Sequence, residues 1–214
     1  PEEIKKEIIS RLKPSKDIGN ITRIFEEEPE KIYKDYIEKT MSVSMPIFMV
    51  GIKDIVVPPE ERVKRHMAIE VILGLIAGKS SELYKNLYEN QHIFGEIDYE
   101  YEFSKNYAHV LISGQSNNPQ LVKDMLITEF EKLKKEGINK EDFERAKRKI
   151  YGDFVTEFND VASIGRMFLA DTIKGINTFD YVDKFNDLTI EYTTSILKEA
   201  FNGDKVALSV VKGG

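Results

Sequence analysis

Three histidines, at positions 66, 92 and 109, and no cysteine at all set narrow limits on the chemistry this 214-residue chain can do. A catalytic zinc site of the HExxH kind, or its inverse HxxEH, needs two histidines one helical turn apart with a glutamate between them as general base. Neither pattern occurs. His66 and Glu70 stand one turn apart, a legal spacing for two ligands, but no second histidine is within reach in sequence. The pair therefore reads as helix surface or an intrahelical hydrogen bond, with a metal site completed by another chain as the sharper alternative. His109 falls in an expected strand and reads as a satisfied sheet residue, while His92, near a helix end, reads as solvent-facing.

Other chemistries fail on spacing. Gly74 to Ser80 resembles the phosphate loop GxxxxGK[ST] but is one residue short, and a helical stripe runs into it where a strand should. A helix-loop-helix junction with a capping serine explains all seven residues. No GxSxG elbow occurs. Asp98, Glu100 and Glu102 lie on the polar side of an alternating strand, whereas acid–base work would need them paired in a cleft. Tyr99, Tyr101 and Phe103 on the opposite side read as core packing.

Composition excludes several classes. The 31 basic and 37 acidic residues give a net charge of −6 and are interspersed along the chain, which argues against nucleic acid as a partner. The run Arg145, Lys147, Arg148, Lys149 follows Glu141, Asp142 and Glu144 and reads as a solvated helix face. The apolar stretches 45–52 and 71–77 fall short of the ~20 residues that span a bilayer, so no membrane partner is expected. Absence of cysteine fits a reducing, cytoplasmic setting. Pro1 in place of Met suggests a piece of a longer protein.

The elements follow from periodicity. Residues 2–12 place Ile4, Ile8, Ile9 and Leu12 at helical spacing, Pro14 stops that helix, and 15–30, with Gly19 and Glu26 to Glu28, reads as a linker. Segments 1–30 are thus a linker and N-terminal helix, and 31–212 a single domain. Within it, 31–39 and 45–53 read as strands. Val63, Met67, Val71 and Leu75 define a helix buried on a wide face, and Leu83, Tyr84, Leu87 and Tyr88 give the next helix its inner stripe. The alternation of 97–103 and the connection Ser104-Lys105-Asn106 lead to a hairpin with 107–113. The second half is helical: Gly137 ends one helix, Asn139 caps another with Ile138 stapled onto Phe143, Gly165 and Gly175 punctuate, and Thr189 opens the last. Val206 to Val211 closes as a strand. The expected fold is α+β, a mostly antiparallel sheet with helices packed on one face.

Taken together, Gly78 to Tyr88, Tyr107 to Gly114, Gly137 to Arg148 and the Pro46-Ile47-Phe48 strand ending at Gly51 resemble the insulinase-like, pitrilysin-type zinc metallopeptidases, specifically the second of their two homologous halves. The resemblance runs from about Lys31 to Val211. It implies a two-half enzyme closing as a clam-like chamber, with zinc held by HxxEH and a downstream Glu in the first half and no cofactor in this chain. The helix 60–77 is then the counterpart of the zinc-motif helix with its ligands gone. Some members of the family place an Arg and a Tyr from the second half on the substrate carbonyl. At the matching places this chain has Tyr88 and, with a one-residue shift, Glu96, and Tyr107 is a third candidate for substrate contact. The implied partners are the zinc-bearing N-terminal half or a homologous catalytic subunit, and a peptide substrate; an oligomer is compatible with this. The competing classes are a non-catalytic interaction subunit of the same family and an unrelated α+β domain with a deep ligand pocket.

Overall fold

The computed structural model describes residues 1–12, 24–26 and 29–214. The expected stop at Pro14 and the linker positions Gly19, Glu27 and Glu28 lie outside them. Among the described residues the chain order is α1 (Glu2–Arg11), β1 (Tyr36–Thr40), β2 (Ile47–Lys53), α2 (Pro59–Ile76), α3 (Glu82–Glu89), β3 (Asp98–Phe103), β4 (Ala108–Gln115), α4 (Pro119–Glu136), α5 (Lys140–Thr156), α6 (Val161–Lys174), α7 (Asp180–Asp187), α8 (Ile190–Ala200) and β5 (Val206–Lys212).

The five strands form one sheet in the order β1-β5-β2-β4-β3. Every pairing is antiparallel except β1 with β5, which is parallel. Period-2 alternation decides which face is buried. Phe48, Val50 and Ile52 of β2, Val110 and Ile112 of β4, and Leu208 and Val210 of β5 turn inward and are all nearly inaccessible. The residues between them face outward. Phe48 lies opposite Gly114, and a Cβ there would meet the phenyl ring at 3.1 Å, so the glycine makes room for the ring.

The helices cover the inner face, with α2 at the centre against α5, α7, α8 and β3. Pro59 starts α2 at a position whose N–H needs no helical partner. Ten of its eighteen residues are buried, which is why its pattern reads as apolar on a wide face; each fully buried aliphatic side chain such as Ile69, Ile72 or Leu73 contributes about 1.5–3 kcal/mol. Ser81 caps α3 by accepting from the Tyr84 N–H at 3.0 Å, and Asn139 caps α5 by accepting from the N–H groups of Glu141 and Asp142. Gly137 and Gly175 take φ of 83° and 77°, conformations that favour glycine, at the ends of α4 and α6.

Four expectations change. The first strand begins at Tyr36, so Lys31 to Asp35 precede it. Tyr88 is 57% exposed, because the buried stripe of α3 is Leu83 and Leu87 alone. Lys147 is buried, its ammonium 5.8 and 4.9 Å from the Phe143 and Phe185 ring centroids and donating to the Leu188 carbonyl at 2.8 Å, so only its neighbours in the basic run form a solvated face. His92 is half-buried, its N–H donating to the Leu87 carbonyl as the chain turns out of α3.

Candidate functional site

The helix that the resemblance makes the counterpart of a zinc-motif helix is α2, and each of its polar inward groups already has a partner in the fold. Arg65 forks onto Asp54 just beyond β2, donating from Nε to Oδ2 at 2.8 Å and from Nη2 to Oδ1 at 2.6 Å. Tyr101 of β3 donates its hydroxyl to the same carboxylate at 2.7 Å, and Glu199 of α8 meets Arg65 at 3.1 Å. Burial, with Asp54 adding to it, pushes the Tyr101 phenol well up. The cluster fixes α2 to the sheet. Arg62 adds hydrogen bonds to the Val57 and Lys174 carbonyls.

One turn on, the His66 ring sits among the rings of Tyr101, Phe103 and Tyr181, and its Nδ1 lies 2.8 Å from the Tyr181 hydroxyl. Burial, then the charge of Lys174, pulls the imidazole down to about 4, so it is neutral at pH 7. Glu70 accepts the Tyr101 backbone N–H at 3.3 Å, and burial pushes its carboxyl up to about 7. His66 Nε2 and Glu70 Oε1 are 3.8 Å apart, a proximity without a hydrogen bond. This pair does not fit a zinc centre. Two donors are short of the three or four that zinc takes, and among the described residues no group of three or more His, Cys, Asp or Glu side chains could hold a metal ion. The expectation of an ordinary helix pair is refined: the histidine bonds across the fold to α7, 115 residues away.

The three expected substrate contacts do not converge. Tyr88 and Glu96 share the corner where α3 gives way to β3. There the chain reverses through Gln91 (φ 57°) and Gly95 (φ 86°). Tyr84 and Tyr88 stack with ring centroids 6.1 Å apart and planes within 7°, one turn apart on the helix face left over once Leu83 and Leu87 are buried. Glu96 pairs with Lys79 at 2.6 Å, and both side chains remain about two-thirds exposed. Tyr107 lies at the other end of β3, beyond the hairpin turn, separated by a six-residue strand of about 20 Å. It stacks on His109 at 5.6 Å and lines a cleft of about 820 Å³ on the outer side of the sheet with Lys53, Lys105 and Leu111.

Tyr84 and Lys79 complete the corner. Tyr84 was read from sequence as part of the inner stripe and is half-buried against the core, while Lys79 stood in the short phosphate-loop lookalike and in the Gly78 to Tyr88 stretch of the resemblance, without a site role. Chemically, the corner offers two phenols, an ammonium and a carboxylate to solvent. It can stack on and hydrogen-bond a peptide, but it contains no paired nucleophile and base.

Comparison with known proteins identifies the family. Residues 2–150 match the family described as the peptidase M16 inactive domain. The uncharacterized zinc protease YmfH of Bacillus subtilis (strain 168) is 26% identical over 204 residues, covering 93% of this chain and 47% of that protein. An M16-like peptidase structure from Alicyclobacillus acidocaldarius superposes with a TM-score of 0.88 at 21% identity, over 100% of this chain and 52% of that one. A peptidase M16 inactive domain from Pseudomonas fluorescens does so with a TM-score of 0.73 at 13% identity, over 100% and 51%. The chain thus spans about half the length of these relatives. A sheet covered by helices on one face and a family match over most of its length lead to one conclusion: the chain belongs to the M16 peptidase inactive-domain family.

Proposed function

We propose that this chain is the non-catalytic wall of a zinc-dependent endopeptidase, enclosing peptide substrate opposite a zinc-bearing half. The observation that carries the reading is the state of α2, where His66 bonds to Tyr181 and the half-buried Glu70 accepts the Tyr101 N–H, leaving no catalytic constellation among the described residues. Hydrolysis of a peptide bond needs an activated water and a group to polarise the carbonyl. Both then come from the companion half, and this chain contributes confinement and orientation. The exposed Tyr88, stacked on the half-buried Tyr84, and the Lys79–Glu96 pair are the proposed contacts at the α3–β3 corner, and Tyr107 belongs to a separate surface.

The test is steady-state peptide hydrolysis by the two-half protein carrying Tyr88→Ala or Glu96→Ala. The reading expects KM to rise several-fold with zinc content unchanged. Identical KM and kcat in both variants would remove the corner from the substrate path and favour the non-catalytic interaction subunit.

A further inference from the structure

Next to the α3–β3 corner, α2, α5 and β3 enclose a pocket of about 340 Å³ whose lining includes Ser80, the chain neighbour of Lys79, and Tyr99, three residues beyond Glu96. Leu75 of α2 with Ala146 and Ile150 of α5 give it an apolar wall, and Tyr99 belongs to the edge strand of the sheet. Two polar groups in it lack partners. Glu70 uses Oε1 for the Tyr101 N–H at 3.3 Å and stands 3.8 Å from the neutral His66 ring, while its Oε2 accepts no hydrogen bond among the described residues. The Tyr99 hydroxyl makes none either; it stands over Gly74, where a Cβ would lie 3.6 Å from it. The cations of the lining are already engaged, Lys149 with Asp153 at 2.6 Å and Arg145 with Asp142 at 2.7 Å. Glu70 is thus a charge of the pocket with no opposite partner, on a side chain that keeps 22% of its surface accessible. Burial outweighs the pull of Lys149 and holds its carboxyl up at about 7, so above that pH a poorly hydrated carboxylate faces the pocket. A group that only donates hydrogen bonds satisfies both Glu70 and Tyr99, and ammonium and guanidinium are such groups. An aliphatic stem behind the cation matches the apolar wall.

We infer that this pocket is a subsite for a basic side chain of a peptide, lysine or arginine, with the cation between the Glu70 carboxylate and the Tyr99 hydroxyl and the stem against Leu75, Ala146 and Ile150. The inference rests on the proposed function and adds a substrate class to it: a peptide held at the α3–β3 corner places one basic side chain in the adjoining pocket. An acidic side chain is rejected because it sets a second carboxylate beside Glu70. An apolar side chain of equal length fills the wall but leaves the Glu70 carboxylate desolvated and unpaired.

The test is a titration of this chain at pH 8.5 with N-acetylated, C-amidated alanine pentapeptides carrying lysine, arginine or norleucine at the centre, followed by the amide NMR shifts of Ser80 and Tyr99. The lysine and arginine peptides should bind about tenfold tighter than the norleucine peptide. Glu70→Gln should abolish that preference. Ala146→Leu, which fills the pocket without altering its charge, should weaken the lysine peptide about fivefold, and Glu38→Gln, on the opposite edge strand, should change nothing. Circular dichroism checks that each variant folds. Equal binding of the lysine and norleucine peptides, or a lysine preference that survives Glu70→Gln, overturns the subsite. An unblocked, lysine-free peptide that binds as tightly as the blocked lysine peptide assigns the pocket to a peptide N-terminus and overturns the side-chain assignment. In the two-half protein, Glu70→Gln should raise KM about fivefold for a lysine-containing substrate and leave its norleucine counterpart unchanged. Glu70-dependent lysine binding by this chain, with no cleavage by the two-half protein, leaves the subsite standing and overturns the proposed function alone. Cleavage by the two-half protein without any lysine preference does the reverse.

Discussion

Replacing Glu70 with glutamine should stabilise the domain, and more so as the pH rises. The carboxyl is mostly buried, makes one hydrogen bond to the Tyr101 N–H and is pushed up by that burial to about 7 from an ordinary 4.5. The folded state therefore holds a proton that the unfolded chain has already released. Stability falls as pH rises from 4.5 through 7, and above 7 the full cost of an ionised buried carboxylate is present. At 1.36 kcal/mol per pH unit that cost is about 3 kcal/mol. The side chain keeps 22% of its surface in water, so about 1–2 kcal/mol is a sounder expectation. Glutamine keeps the acceptor for the Tyr101 N–H and removes the charge. Urea unfolding at pH 4.5 and pH 8.5 measures the difference: the Glu70→Gln variant should match wild type at pH 4.5 and gain about 1–2 kcal/mol at pH 8.5. His66 protonates in both proteins at the acid end, so it cancels. A variant no more stable at pH 8.5 than at pH 4.5, relative to wild type, would refute the argument that burial governs this carboxyl.

The neighbouring histidine has the opposite sign. His66 is held neutral down to about 4, so stability is lost as pH falls from 6.5 through 4, and His66→Phe should flatten that limb while costing about 1 kcal/mol at pH 7 for the Tyr181 hydrogen bond, read from the same urea curves. Arg65→Met strands the Asp54 carboxylate beside Tyr101 and should cost about 3–5 kcal/mol in chemical unfolding, with Arg65→Met/Asp54→Leu recovering much of it. Gly114→Val drives a branched side chain onto the Phe48 ring and should cost about 1–3 kcal/mol by thermal unfolding. Deleting residues 1–12 should change stability by less than about 0.5 kcal/mol, because no residue of α1 is buried.

Local signals made most of the fold legible. The unbroken alternation from Asp98 to Phe103 gave β3, and the wide stripe of Val63, Met67 and Val71 gave the buried central helix. Ser81, Asn139 and Gly137 marked helix ends because each supplies a side-chain acceptor or a permissive backbone. Signals of long range were not legible. The parallel pairing of β1 with β5 joins residues about 170 positions apart, and nothing in five residues of Tyr, Ile, Glu, Lys and Thr announces that neighbour. Tyr88 misled because a residue one position from Leu87 falls on a helical inner stripe or off it by a small rotation. Lys147 misled because a lysine in a charged run ordinarily faces water, whereas here a carbonyl beyond α7 accepts its ammonium.

The site was legible in part. That the chain lacks a zinc motif follows from counting histidines, and Tyr88 and Glu96 were candidate contacts by resemblance alone, their shared corner emerging only from the fold. Tyr107 was a third candidate beside them, and the hairpin carries it a full strand length away. The link from His66 to Tyr181 could not be read from sequence because it depends on how α7 packs over α2.

The central claim is that this chain contributes to peptide hydrolysis without containing its catalytic centre. Cleavage of a quenched fluorescent peptide library, with zinc supplied, tests it directly by comparing this chain alone with the two-half protein that contains it. The account predicts no cleavage by the chain alone and chelator-sensitive cleavage by the two-half protein. Zinc-dependent cleavage by the chain alone would contradict it.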